Sequence, residues 1–304
     1  MALVRPVPQP EASAMGPRRL PAWLKQSRAG GANFDRVASL VRDLGLHTVC
    51  DEARCPNRHE CWGQGVATFM ILGSTCTRAC GFCATSTGRP EAPDPGEPGR
   101  LAGAVAALRL SHVAVTSVTR DDLPDGGAAH FAACIRAISG RTPGVAVEVL
   151  TSDFGGDGCA LAAVLEAAPA VFSHNLECVR RLSATVRPQA DYDRSLGVLW
   201  RAGELAPAIL TKSGLMLGLG ERDDEVEEAL HDLRAAGVSL LTLGQYLQPR
   251  PECLSVDRFV TPEEFDRWRE VGLRLGFAHV ASSPFTRSSH KAAESYQQAK
   301  GRSA

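Results

Sequence analysis

The sequence predicts an α/β fold, a partial (β/α)6 barrel left open on one side. Strand-like and helix-like segments alternate from residue 68 onward, which implies a parallel sheet with right-handed crossovers. Six such units are too few for the closed eight-stranded barrel. Six of the ten cysteines fall between Cys50 and Cys83 as two groups of three, at the point where the alternation begins. Groups that act on a substrate should then sit at the carboxyl ends of the strands.

In chain order, residues 1–32 form an arm in which Pro6, Pro8, Pro10, Pro17 and Pro21 break any regular pattern, with Leu20 to Lys25 as an apolar strap. Phe34, Val37, Leu40, Val41 and Leu44 recur at helical spacing and predict a helix over 34–44. Residues 33–66 are expected to form a cysteine-bearing lobe, in which Cys50 to Cys61 is made of turns rather than regular elements. Residues 67–280 are expected to form the barrel, and 281–304 an irregular tail that closes over the site. Within the barrel the strands are predicted at 68–73, 112–118, 145–150, 171–175, 212–217 and 240–244. The helices between them fall at 101–110, 128–139, 161–167, 192–202 and 223–236. Thr261-Pro262-Glu263-Glu264 reads as a capping box with proline at the first helical position, opening a helix over 261–276. A short strand, 277–281, leads into the tail.

With 304 residues, 44% of them hydrophobic, the chain can bury a large core. A formal net charge of −1 argues against a surface that wraps nucleic acid. No apolar run approaches the roughly 18–20 residues that cross a bilayer. The first 21 residues lack an apolar signal core, and Asn33, Asn57 and Asn175 are not glycosylation acceptors. The sparse acidic residues there leave an organelle-targeting peptide as the alternative to a loose arm. A cytoplasmic location is therefore expected, with a mitochondrial or plastid matrix as the alternative. Ten cysteines in so core-rich a chain point to metal or redox chemistry in a reducing compartment rather than to staples.

The first triad, Cys50, Cys55 and Cys61, is spaced C-x4-C-x5-C, and the second, Cys76, Cys80 and Cys83, is spaced C-x3-C-x2-C. Three soft thiolates each select zinc or an iron–sulfur cluster. A structural zinc site would want a fourth ligand in a closed tetrahedron. A thioredoxin-type dithiol at Cys80 and Cys83 leaves Cys76 unexplained. Cys134, Cys159, Cys178 and Cys253 read as buried free thiols. His112, His130 and His174 read as satisfied core histidines. Gly214 to Gly220 fails the dinucleotide pattern, because Asp223 takes the third glycine position.

Cys76-x3-Cys80-x2-Cys83, with Phe82 before the last cysteine and a strand leading in, resembles the radical S-adenosylmethionine (SAM) motif. With the upstream triad and Ala67 to Gly73 between, the pair is similar to the lipoyl synthase family. Thr116 to Leu123, Asp125 to Gly127, His174 to Glu177, Val186 to Pro188, Thr211 to Glu221, Leu243 to Pro249 and Arg287 to Ser289 carry the resemblance from about residue 20 to the end of the chain.

That resemblance implies two four-iron clusters, one on Cys76, Cys80 and Cys83 that binds and cleaves SAM. The other, an auxiliary cluster on Cys50, Cys55 and Cys61 with Ser289 as oxygen ligand, is implied to be dismantled as the sulfur source. Thr116, Ser117, Asn175, Glu177, Arg187 and Lys212 are implied SAM contacts. The implied reaction places sulfur on carbons six and eight of an octanoyl chain held on a lysine. The implied partners are lipoyl domains of 2-oxoacid dehydrogenases, the glycine-cleavage H protein, a flavodoxin- or ferredoxin-type electron donor and iron–sulfur delivery proteins. His290 and Cys253 depart from the family, which has tyrosine and histidine there. Rival readings are a radical SAM enzyme making a methylthio or ring-closing modification and a zinc-binding interaction module.

Overall fold

β-Branched and leucine-rich runs account for the sheet, whose strands are buried on both faces. A computed structural model describes residues 19–25 and 31–302. Most of the predicted arm, residues 1–18 and 26–30, lies outside the described residues. The main sheet has eight strands in chain order. They are β1 (His47–Thr48), β2 (Thr68–Ile71), β3 (His112–Ser117), β4 (Ala146–Leu150), β5 (Val171–Ser173), β6 (Leu210–Leu217), β7 (Leu240–Gln245) and β8 (His279–Ser283). β1 pairs antiparallel with β2, and every later pair is parallel. The sheet is open, and its edges β1 and β8 do not pair with each other.

Three expectations are corrected. The closing segment 277–281 was expected only to lead into the tail, but β8 joins the sheet beside β7, giving seven parallel strands. Its register is set by Ala278 N–H bonding Ser239 at 2.9 Å. The stretch from Cys50 to Cys61, expected as turns alone, runs through two short helices after α1 (Ala32–Asp43). They are α2 (Val49–Glu52), which carries Cys50 and is capped by the Thr48 hydroxyl on Asp51 N, and α3 (Arg58–Gly63), which carries Cys61. The tail is not irregular throughout: its last turns form a helix, Ala292–Arg302. Tyr296 of that helix meets His112 at 5.7 Å between ring centroids, and Ala299 packs on Val171 and Leu240. The helix therefore packs on the amino ends of these strands.

The predicted capping box is present, with Thr261 Oγ1 accepting from Glu264 N at 3.3 Å and Glu264 accepting from Thr261 N at 2.9 Å. Cys134 and Cys178 are buried as expected, but Cys159 is exposed, because it lies in the solvent-facing first turn of Gly158–Glu166.

Candidate active site

All ten cysteines are free thiols. A cavity of about 900 Å³ opens beside the barrel, and Cys50, Cys55, Cys61, Cys83 and Ser289 all line it. In the lobe, Cys55 N bonds Cys50 O at 3.1 Å and Cys61 N bonds Asn57 O at 2.9 Å, so short backbone bonds draw the triad together. Burial and the neighbouring Cys55 thiol push Cys50 up to about 11. Burial with the Cys50 and Cys55 thiols pushes Cys61 up to about 12. Burial also pushes Cys55 up, against the Arg287 charge, and three crowded thiols of this kind form a donor set suited to a cationic centre.

The loop from Cys76 to Cys83 is anchored to four neighbouring segments. Cys76 Sγ accepts from Arg78 N at 3.4 Å and from Thr119 N at 3.3 Å. Ala79 N donates to Gln189 Oε1 at 2.6 Å, and Gly81 N to Val186 O at 2.9 Å. Leu254 N donates to Gly81 O at 2.8 Å, and the Cys253 thiol to Cys83 O at 3.4 Å. Burial and the Cys83 thiol push Cys80 up to about 12. Among the described residues no group of three or more His, Cys, Asp or Glu is drawn tightly enough to hold a single metal ion. Each triad offers three soft thiol donors, a chemistry that suits zinc or an iron–sulfur cluster.

Arg78 clamps this loop. It grips Asp121 through Nε at 2.7 Å and Nη2 at 2.8 Å, and reaches Asp153 Oδ1 at 2.7 Å. Asp153, wholly buried, also accepts from Arg194 Nε at 2.8 Å and Gly155 N at 3.1 Å. Burial would raise the Asp153 carboxyl, but Arg78 overrides it and holds it well below the usual carboxylate range. Sequence reasoning missed Asp121, Asp153 and Arg194. Arg78, between Cys76 and Cys80, was given no role either; its partners are 43 and 75 residues away and carry no local signal.

The expected SAM contacts divide into two groups. Thr116, Asn175 and Glu177 line the cavity; Ser117, Arg187 and Lys212 do not. Asn175 Nδ2 donates to Glu177 Oε1 at 3.0 Å and to Ser288 Oγ at 2.6 Å, while its Oδ1 is buried without a partner. Beside it Gly214 keeps the wall open: a Cβ there would collide with the Thr242 hydroxyl and come within 3.2 Å of Asn175 Oδ1. An orphaned acceptor beside a cradle that only glycine leaves empty fits a polar cosubstrate. Glu177 adopts a left-handed φ of 67°, fixed by Glu177 N on Gly214 O and Met216 N on Glu177 O. Burial pushes its carboxyl up. Lys212 is fully buried, and its Nζ lies 2.7 Å from Glu148 Oε1. Arg187 is spent on Asn175 O and Ser195 Oγ, both at 2.7 Å.

The tail motif is tied in from both sides. Thr68 donates to Ser289 Oγ at 2.6 Å, and Asn57 Nδ2 to Phe285 O at 2.7 Å. His290 packs against the lobe 3.5 Å from Glu60. His130 and His112 pair with Glu97 and Glu148, in line with core roles.

The sequence profile of the Radical SAM superfamily matches residues 70–233, and that of the N-terminal domain of lipoyl synthase of the Radical SAM family matches residues 10–55. A lipoyl synthase of Rubrobacter xylanophilus is 53% identical over 280 residues, covering 92% of this chain and 87% of that one. One from Thermus thermophilus is 55% identical over 277 residues, covering 90% and 86%. Among solved structures, methylornithine synthase superposes with a TM-score of 0.53 at 12% identity, over 82% of this chain and 85% of that one. At that identity the likeness speaks to the fold alone.

Proposed function

Since the chain belongs to the lipoyl synthase family of radical SAM enzymes, we propose that Cys76, Cys80 and Cys83 hold a SAM-binding four-iron cluster. Cys50, Cys55 and Cys61, with the Ser289 oxygen, hold an auxiliary one. The activity is that of a radical SAM-dependent lipoyl synthase. Its substrate on this reading is an octanoyl-lysine of a lipoyl carrier protein, sulfurated at carbons six and eight. When bound, the clusters and SAM supply the electron, the power to remove hydrogen from an unactivated carbon, and the sulfur.

The chain's own residues do the rest. The backbone N–H groups of Arg78 and Thr119 donate to Cys76 Sγ and fix its position. The Arg78–Asp121–Asp153 clamp fixes the loop that aims the second triad. Asn175 Oδ1 and Glu177 offer acceptors toward SAM from the cavity wall. The cavity, shared by the first triad and Cys83, gives the reacting chain room beside both. Thr68 orients Ser289 toward the lobe.

In domain terms, residues 33–66 serve the auxiliary cluster, 67–280 the radical SAM chemistry, and 281–304 close the site. Carrier lipoyl domains, the H protein, a flavodoxin- or ferredoxin-type donor and iron–sulfur delivery proteins are the partners this reading requires. No helix among the described residues is long and apolar enough to cross a membrane, and the reading places the enzyme in the cytoplasm.

The observation that carries the assignment is the single cavity lined at once by the whole first triad, by Cys83 and by Ser289. The test is an anaerobic assay of the reconstituted protein on an octanoyl-lysine peptide, with added sulfur read by mass. Cys55→Ala should abolish sulfur insertion while SAM cleavage persists. Normal product from that variant would end the sulfur-donor assignment.

A further inference from the structure

Among the described residues three arginines are buried to less than a tenth exposed, and two of them have carboxylate partners: Arg78 has Asp121 and Asp153, and Arg120 has Asp122. The third, Arg187, is 4% exposed and forms no ion pair among the described residues. Nη1 donates to Asn175 O and Nη2 to Ser195 Oγ, both neutral acceptors, and Nε is buried without a partner. Leaving a buried cation uncompensated costs several kcal/mol, so its position calls for an anion.

What lies beside it is the second triad. The segment that carries Arg187 brackets Cys80 with two hydrogen bonds, Gly81 N to Val186 O at 2.9 Å and Ala79 N to Gln189 Oε1 at 2.6 Å. Cys80 is thus held by the residues on both sides of Arg187, and its thiol feels that positive charge. Glu177 also feels it but forms no ion pair with it. A four-iron cube on three thiolates carries net negative charge and gains another unit on reduction.

We propose that Arg187 is a positioning residue whose charge faces the Cys80 corner of the SAM cluster and favours its reduction, rather than a contact to SAM. The inference rests on the cluster assignment made above for Cys76, Cys80 and Cys83. Two of the five N–H donors of Arg187 are held by protein acceptors, and Arg187 is not among the residues that line the cavity, so its side chain is not presented to a ligand there. Its remaining influence is electrostatic, acting across the short bracket around Cys80.

The two roles separate in the SAM-free, iron-loaded protein. The reduction potential of the second cluster is titrated by electron paramagnetic resonance, in a background where Cys55→Ala removes the auxiliary signal. SAM affinity is read by equilibrium dialysis. Arg187→Gln and Arg187→Met should move the potential to more negative values while SAM affinity stays within about twofold, and Arg187→Lys should keep the potential of the parent. An unchanged potential with SAM affinity weakened more than about tenfold would make Arg187 a SAM contact and overturn the proposal. Failure of both charge-free variants to fold, read by far-ultraviolet circular dichroism, would also overturn it, since the cation would then serve the scaffold. Absence of any iron–sulfur signal in the parent would remove the cluster assignment itself, and that outcome is seen before any Arg187 variant is made.

Discussion

The Thr68 hydroxyl donates to Ser289 Oγ at 2.6 Å, joining the first residue of β2, the strand between the two triads, to a tail residue 221 positions away. On the proposed assignment, in which Ser289 supplies an oxygen to the auxiliary cluster, this bond holds that oxygen in place.

Thr68→Val keeps the shape and removes that donor. A hydrogen bond of about 1 kcal/mol corresponds to roughly a fivefold change in an equilibrium constant. Iron should leave the auxiliary site about fivefold faster under a chelator, while the second cluster keeps its parent rate. Equal loss from both sites would mean that Thr68 acts on the scaffold as a whole.

Asp153→Asn addresses the clamp on the other triad. It leaves Arg78 buried with Asp121 as its only carboxylate and costs Arg194 its partner as well. Breaking a buried pair on one side destabilises by about 3 kcal/mol, to be read by anaerobic urea unfolding at pH 7. The folded-state value of Asp153 is depressed, so its contribution is complete above the ordinary carboxylate value of about 4 and is lost as pH falls toward the folded value. The gap between parent and variant should therefore hold from pH 8 to 5 and narrow only in stronger acid.

The barrel was legible because its strands are short runs rich in apolar and β-branched residues, such as His112 to Val118, and because helix starts such as Thr261 announce themselves within four residues. The triads were legible because ligands to one cluster fall close together in sequence. What stayed hidden depends on long-range pairing. Nothing near Asp153 marks it as the anchor of Arg78, and nothing near Lys212 marks Glu148, 64 residues earlier, as its partner. The two short helices of the lobe escaped for a different reason: four and six residues carry too little periodicity to register, and tertiary contacts set them. Arg58, paired with Asp51 and stacked 4.5 Å over Trp62, is one such contact.

His174 gives a pH signature of the same sign in a higher pH window. Its Nδ1 lies 2.9 Å from Thr151 O. Burial, with Arg187 nearby, holds the imidazole down to about 4. The unfolded chain binds a proton near pH 6.5, whereas the folded one does so only near 4, so stability declines as pH falls through that interval. Between pH 7 and 5 the decline from this one group is about 2 kcal/mol. Urea unfolding of His174→Gln should show a correspondingly flatter profile over the same range. A profile as steep as the parent's would place the proton uptake elsewhere.

Lys212 and Glu148 face each other at 2.7 Å inside the barrel, 1% and 2% exposed, with His112 Nε2 3.3 Å from the second carboxylate oxygen. Burial would raise the Glu148 carboxyl, yet Lys212 and His112 keep it below the ordinary range. Lys212→Met should cost about 3 kcal/mol, because a buried carboxylate is then left with a histidine alone. Glu148→Met should cost a similar amount by stranding the ammonium. The double variant, with two apolar chains of similar length, should recover most of the loss, a coupling of about 3 kcal/mol in a double-mutant cycle. The cycle also bears on SAM. If Lys212 serves only the barrel, the double variant binds SAM as the parent does, since its stability is restored and the cavity wall is untouched. If Lys212 reaches SAM, the double variant regains stability but not affinity, and equilibrium dialysis beside the unfolding curve distinguishes the two.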